Sequence, residues 1–238
     1  MSSNNNYKKV VAIHQPNYIP WLGYFHKVFR ADVFVFLDDV QHSKNSFINR
    51  TKIMGQDNKS RWLTIPVSFK LGDRINEVFP SFEDWPSKHI DNLRGHYRKA
   101  PHFKYVWEDI INLYGDIKPS WNLDKINIHL IRRICEMLRF DTEFVPSSSL
   151  EHQGEADDRL VCIVSSISSK GSYLSGKGGA KYQDPQKFFM AGLGFEYTSF
   201  EHSEYPQWSG DFQNGLSIFD AVFHLGWENT AEIVISEK

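Results

Sequence analysis

Apolar residues along this chain alternate between short dense runs and helical spacing. Val10-Val11-Ala12-Ile13 is a β-branched run, which reads as a strand. It stops at His14-Gln15-Pro16-Asn17-Tyr18-Ile19-Pro20, where two prolines disfavour a continuing strand and predict a rigid extended loop. After Pro20, Trp21, Leu22, Phe25, Val28 and Phe29 fall at helical spacing. Lys27 and Arg30 lie on the other side of that helix, and Pro20 suits its first turn. Ala31 to Leu37 is then an almost uninterrupted apolar strand ending in Asp38-Asp39. Strand, helix and strand make a βαβ unit, and strands buried on both faces belong to parallel sheets.

Farther on, Trp62 to Val67 reads as a third strand, with Pro66 at an edge or an end, and Ile75 to Phe79 as a fourth. From Asp84 to Arg139 the pattern is helical, broken at Pro101 and Pro119. Its best segment, Asn122 to Phe140, carries a broad apolar face through Leu123, Ile126, Ile128, Leu130, Ile131, Ile134 and Leu138. Phe144-Val145 starts a short strand, and Asp157 to Ser169 is a further helix. A strand at Gly171 then enters a glycine-rich loop, before a helix at Pro185–Ala191, a strand at Phe195–Phe200 and a helix at Ser217–Leu225. The predicted class is α/β, with a mostly parallel sheet starting from the βαβ unit and a helical middle region. Residues 1–9 read as a flexible polar tail and 10–238 as a single domain, with a helical subdomain at about 84–140.

Composition adds exclusions. With 41% hydrophobic and 24% charged residues in 238, disorder is ruled out. No run approaches the ~18 apolar residues of a membrane span, and the polar start lacks a secretory signal, so the protein is expected in the cytosol. Cys135 and Cys162 sit in apolar helical contexts without paired spacing, which predicts buried thiols rather than a disulfide or zinc knuckle. A net charge of −2 argues against a nucleic-acid-gripping protein. The short basic run Leu93 to Lys99 reads as a solvated helix face.

Four segments could carry chemistry. His14, Gln15, Asn17 and Tyr18 sit where a strand end meets a helix start, the place at which open parallel sheets bind ligands. Asp38 and Asp39 end the second strand, and in an extended chain one faces a site as base or metal ligand while the other caps the loop. The pattern does not separate them. Lys44, Asn49 and Arg50 follow and offer contacts to phosphate or carboxylate. Ser175, Gly176, Lys177 and Gly178, with Tyr182 beyond, form either an anion loop or a plain turn, matching neither phosphate-binding glycine signature. Tyr205, Gln207 and Trp208, after Glu201 and His202, could stack on and hydrogen-bond a sugar or base. The ten histidines show no metal-ligand spacing, and no hydrolase or EF-hand motif occurs, so no metal is assigned.

Taken together, IHQPNYIPWLGYFHKV, DVFVFLDDVQHSKNSFINR, WLTIPV, INEV, YLSGKGGAKY, HSEYPQW and LSIFDAVFHLG resemble the WbqC-like protein family from about Val10 to about Gly226. The resemblance implies a place in bacterial O-antigen and surface-polysaccharide biosynthesis, and an enzyme that modifies a nucleotide-activated sugar. On it rests the expectation of a transferase adding an acyl or aminoacyl group to the amine of a nucleotide-linked amino sugar. His14, Asp38 or Asp39 would take the amine proton, and Arg50 with the Ser175 to Gly179 loop would hold phosphate. Tyr18, Trp21, Tyr24, Tyr173, Tyr182, Tyr205 and Trp208 would line a stacking pocket. The partners are then the nucleotide sugar and an acyl or aminoacyl donor, with no cofactor named. Two other readings stay open: a non-catalytic protein that binds a sugar nucleotide or an assembly partner, and an ATP-dependent amide-forming ligase.

Overall fold

Val10–His14 (β1), Leu22–Phe29 (α1) and Val33–Phe36 (β2) form the predicted βαβ unit in a computed structural model that describes residues 8–201, 203–208 and 211–236. Two short antiparallel ribbons follow: Arg50–Met54 (β3) with Ser60–Thr64 (β4), and Val67–Ser68 (β5) with Phe79–Pro80 (β6). The helical middle is Trp85–Tyr97 (α2), Phe103–Gly115 (α3) and Leu123–Met137 (α4). The chain then runs through Glu143–Pro146 (β7), Ala156–Ile167 (α5), Ser172–Gly176 (β8), Pro185–Met190 (α6), Gly194–Thr198 (β9) and Ile218–Ile235 (α7).

The chain divides into two compact units. The first gathers the segment ending at His14, then Lys27–Leu37 and Asp141–Phe200. It holds a five-stranded sheet in the order β7-β2-β1-β8-β9, with every neighbouring pair parallel. From β1 the chain builds outward to β2 and β7 on one side, and later to β8 and β9 on the other. This is a doubly wound order whose direction reverses between β1 and β8. Alternation places Val11, Ile13, Val33, Val35 and Tyr173 in one core with Ile163 and Val164 of α5 and Phe188 of α6. Their neighbours Ala12, Phe34, Phe36 and Leu174 are also fully buried, so both faces of the sheet are covered.

The second unit comprises Gln15–His26, Asp38–Phe140 and the segment from Glu201 onward. Within α4, Leu123, Ile126, Leu130, Ile131 and Ile134 are buried, as spacing predicts. Ile128 is only half-buried, whereas Asn127 is completely enclosed.

Several local expectations are corrected. The strand expected at Trp62–Val67 splits at Pro66, which cannot donate to a ladder. Ile75–Glu77 is a 3-10 turn rather than a strand. Residues 50–54, to which the pattern assigns no element, form β3, where Thr51 and Ile53 face inward and Arg50 and Lys52 outward. Cys162 is half-buried, although Cys135 is enclosed, and both are free thiols.

The last helix runs ten residues beyond the Leu225 expected, through a kink at Gly226 with φ 78°. A Cβ there would sit 2.9 Å from His102 Nδ1. Gly226→Ala therefore combines a left-handed backbone with a close contact, and is expected to cost about 1–3 kcal/mol, read from the urea midpoint.

Candidate functional site

Within the sheet unit, β1 and β8 part company early. Their ladder ends at Ala12↔Leu174, whereas β1 stays paired with β2 to His14↔Phe36 and β8 with β9 to Gly176↔Thr198. The pairing of the two central strands thus stops short of their carboxyl ends at His14 and Gly176, at the point where the winding reverses. Strand ends at such a reversal are where doubly wound sheets bind ligands.

Lys27 reaches the backbone of β1 just past that ladder's end. Spacing places it on the polar side of its helix, yet α1 is buried from Leu22 through Val28, and it is Phe29 that is exposed. The Lys27 side chain is only 6% exposed; Nζ donates to the Ile13 carbonyl at 2.8 Å and lies 5.9 Å from the Tyr173 ring centre. That carbonyl is free to accept because the β1–β8 ladder has already ended. Among the described residues no carboxylate pairs with Lys27, and burial alone lowers its pKa from 10.5 to about 7.

Beside it, Gln183 Nε2 donates to the Tyr173 hydroxyl at 3.1 Å, and the buried Ser175 hydroxyl donates to Gln183 Oε1. Gly179 is required there, since a Cβ would lie 2.2 Å from Gln183 Oε1 and 2.5 Å from Ser175 Oγ. Residues Lys177–Lys181 form a 3-10 turn on which Lys177, Gly178 and Tyr182 are exposed. Ser175 thus braces the strand end through Gln183.

In the second unit, the chain leaving β2 separates the two aspartates: Asp38 is buried and Asp39 half-buried. The Asp38 carbonyl accepts from the Asn76 N–H at 3.1 Å, and the Asn76 carbonyl accepts from Asn122 Nδ2 at 2.6 Å. Residue 76 thereby ties Asp38 to the start of α4. In that helix's first turn Asp124 is buried too; burial, reinforced by the Asp38 carboxylate, raises the Asp124 carboxyl above its ordinary value.

One turn on, Asn127 Nδ2 donates to the carbonyls of Pro16 (2.9 Å) and Ile48 (2.7 Å), and Asn49 Nδ2 donates to that of Ile65 (3.0 Å). Each amide nitrogen is spent on backbone. The Oδ1 atoms of Asn49, Asn122, Asn127 and Asp124 are all buried without a partner among the described residues. Buried acceptors in this number call for donors. Asn122, Asp124 and Asn127 were missed from sequence; the available signal was a polar residue between Ile126 and Ile128 in an otherwise apolar face.

The other predicted residues have different duties. Gln15 and Asn17 are half-buried and Lys44 is exposed. The Arg50 guanidinium lies 4.0 Å from the Trp62 ring centre and donates to Asn45. The Tyr18 hydroxyl bonds His89 Nδ1 at 2.7 Å and Tyr114 at 2.5 Å, while His89 Nε2 lies 3.0 Å from the Thr64 carbonyl. A carbonyl only accepts, so the proton sits on Nε2, and Nδ1 accepts from Tyr18. Burial lowers His89 to about 4, which keeps it neutral. An open pocket of about 380 Å³ borders this histidine, lined also by Trp62, Phe82, Trp85 and Lys88.

Tyr205 and Gln207 donate to the buried Asp220 carboxylate at 2.8 and 3.2 Å, and Trp208 packs against Tyr97 and edge-on to His224. Tyr18, Tyr24, Tyr173 and Tyr205 are buried with their hydroxyls bonded inside the protein, and Tyr182 stands 77% exposed. Buried phenols need internal partners, and these find them in His89 and Tyr114, the Gln15 carbonyl, Gln183 and Asp220. His202 lies outside the described residues. Among those described, no three His, Cys, Asp or Glu side chains gather as metal ligands, and no helix is long and apolar enough to cross a membrane.

The model of the WbqC-like protein family matches residues 15–232. The chain belongs to this family. The match takes in the loop after β1, the Asp38 segment, all of α4 and the β8 region. Over 223 residues this WbqC-like chain is 30% identical to the uncharacterized protein Rv1507c of Mycobacterium tuberculosis, covering 92% of this chain and 95% of that one. No solved structure matches.

Proposed function

We propose that this WbqC-like protein is a transferase of surface-polysaccharide biosynthesis that adds an acyl or aminoacyl group to the amine of a nucleotide-activated amino sugar. The observation that carries the reading is the set of buried, donor-seeking oxygens around Asp38 and Asp124. A protonated amine supplies several N–H donors and a positive charge, which is what two neighbouring carboxylates and spare amide oxygens accept. Acylation needs the neutral amine, so a group must take its proton. Asp38 is the base in this reading, with Asp124 and Asn127 orienting the amine. The resemblance to a family associated with O-antigen synthesis supports a sugar as the carrier of that amine.

The test is incubation of the purified protein with a panel of nucleotide-linked amino sugars and acyl or aminoacyl donors, followed by mass spectrometry. The expected product is heavier by one acyl group. Asp38→Asn is expected to lower turnover by roughly 10²–10⁴-fold, the usual contribution of a general base. No product with any pair, or full turnover by Asp38→Asn, would sink the reading.

A further inference from the structure

We propose that Lys27 is the phosphate-binding cation of this chain, receiving a phosphate or diphosphate group where the β1–β8 ladder ends. Where that group belongs to a nucleotide sugar, the inference rests on the function proposed above.

The argument starts from an imbalance. A lysine enclosed this deeply is normally paired with a carboxylate, because an unpaired buried charge is costly. Lys27 has one hydrogen bond, to a neutral carbonyl, and a contact with an aromatic ring, which leaves two N–H donors unused. Position supplies the second half. The ammonium, on the Ile13 carbonyl and over the Tyr173 ring, lies where the ladder between the central strands stops. That is the ligand-binding position of a doubly wound sheet, and its frequent ligands carry phosphates.

The surroundings favour an anion over a metal or a base. Tyr173 is the titratable side chain facing Lys27, and burial holds its phenol neutral up to about pH 12. Asp157, the carboxylate nearest that tyrosine in charge effect, accepts from the backbone N–H of Asp184 at 2.9 Å. Nothing negative is therefore committed to Lys27. A bound phosphate would provide the missing counter-charge and restore the lysine's proton, so binding should draw a proton from solution above neutral pH.

The experiment is calorimetric titration of the full chain with inorganic pyrophosphate and with uridine diphosphate, at pH 6 and pH 8, in buffers of different ionisation heat. Wild type is expected to bind both, taking up close to one proton at pH 8 and much less at pH 6. Lys27→Met should weaken binding by roughly 10- to 100-fold and abolish the uptake, while Lys27→Arg should retain more of the affinity. Thermal melting checks that each variant is folded.

Absence of binding by wild type, equal binding by folded Lys27→Met, or binding at pH 8 without proton uptake would each overturn the proposal. The transfer assay, run on the same variants, separates the two claims. Lys27-dependent pyrophosphate binding without any acylated sugar removes the transferase reading and leaves Lys27 standing. Acyl transfer with an unchanged KM in Lys27→Met does the reverse.

Discussion

Replacing Lys27 with methionine is expected to make the protein more stable, and most so at acidic and neutral pH. The lowering of its pKa from 10.5 to about 7 means that folding disfavours the ammonium by about 4–5 kcal/mol, at roughly 1.4 kcal/mol per tenfold change in proton affinity. Against this, methionine leaves the Ile13 carbonyl without its donor, which costs about 1–3 kcal/mol. The charging term is larger, so the net expectation is a gain of about 2–3 kcal/mol, or a rise in melting temperature of roughly 5–10 °C. The pH dependence has a definite sign. Below pH 7 the lysine is charged in both states and wild type carries the whole penalty; between 7 and 10.5 the folded lysine is already neutral, and the penalty fades. The advantage of Lys27→Met should therefore shrink as pH rises through that window. Melting curves from pH 6 to pH 10 check it, and an unstable variant at pH 6 would show that Lys27 is a structural plug.

The opposite result is expected at Asp220. This fully buried carboxylate in the first turn of α7 accepts from the hydroxyls of Tyr97 and Tyr205, each at 2.8 Å, and from Gln207. The Tyr97 oxygen in turn accepts from the Met54 N–H at 2.9 Å, so one aspartate orders two distant segments and a ribbon strand. Burial pushes the Asp220 carboxyl up, while its donors pull the other way. Asp220→Ala strands two buried phenols and leaves a void, and is expected to cost about 3–4 kcal/mol, or roughly 10 °C in melting temperature. Asp220→Asn keeps one acceptor and should cost about half as much. Equal stability of Asp220→Ala and wild type would show that the network contributes little.

Legibility from sequence followed the strength of local pattern. The apolar runs of β1 and β2 around a short helix could be nothing but a parallel βαβ start, and the expected α/β class and helical middle region both stand in the structure. β3 was hidden because Arg50, Thr51 and Lys52 make its first half polar, and half of a polar strand looks like loop. Lys27 was misplaced for a related reason. Helical spacing assumes one apolar and one polar side, and α1 is enclosed on nearly every side, so where the sheet opens decides what the lysine does. The bonds that satisfy the hydroxyls of Tyr18, Tyr24, Tyr173 and Tyr205 within the protein could not be read from sequence spacing. Asp38 and Asp39 could be told apart only once the segment after β2 was seen lying along residues 73–76.

The most direct test of the proposal that Lys27 receives the diphosphate of a nucleotide-activated amino sugar is a crystal structure with such a ligand bound. The expected density places diphosphate oxygens within hydrogen-bonding distance of Lys27 Nζ. A diphosphate bound instead in the pocket bordered by Trp62 and His89, away from Lys27, would contradict it.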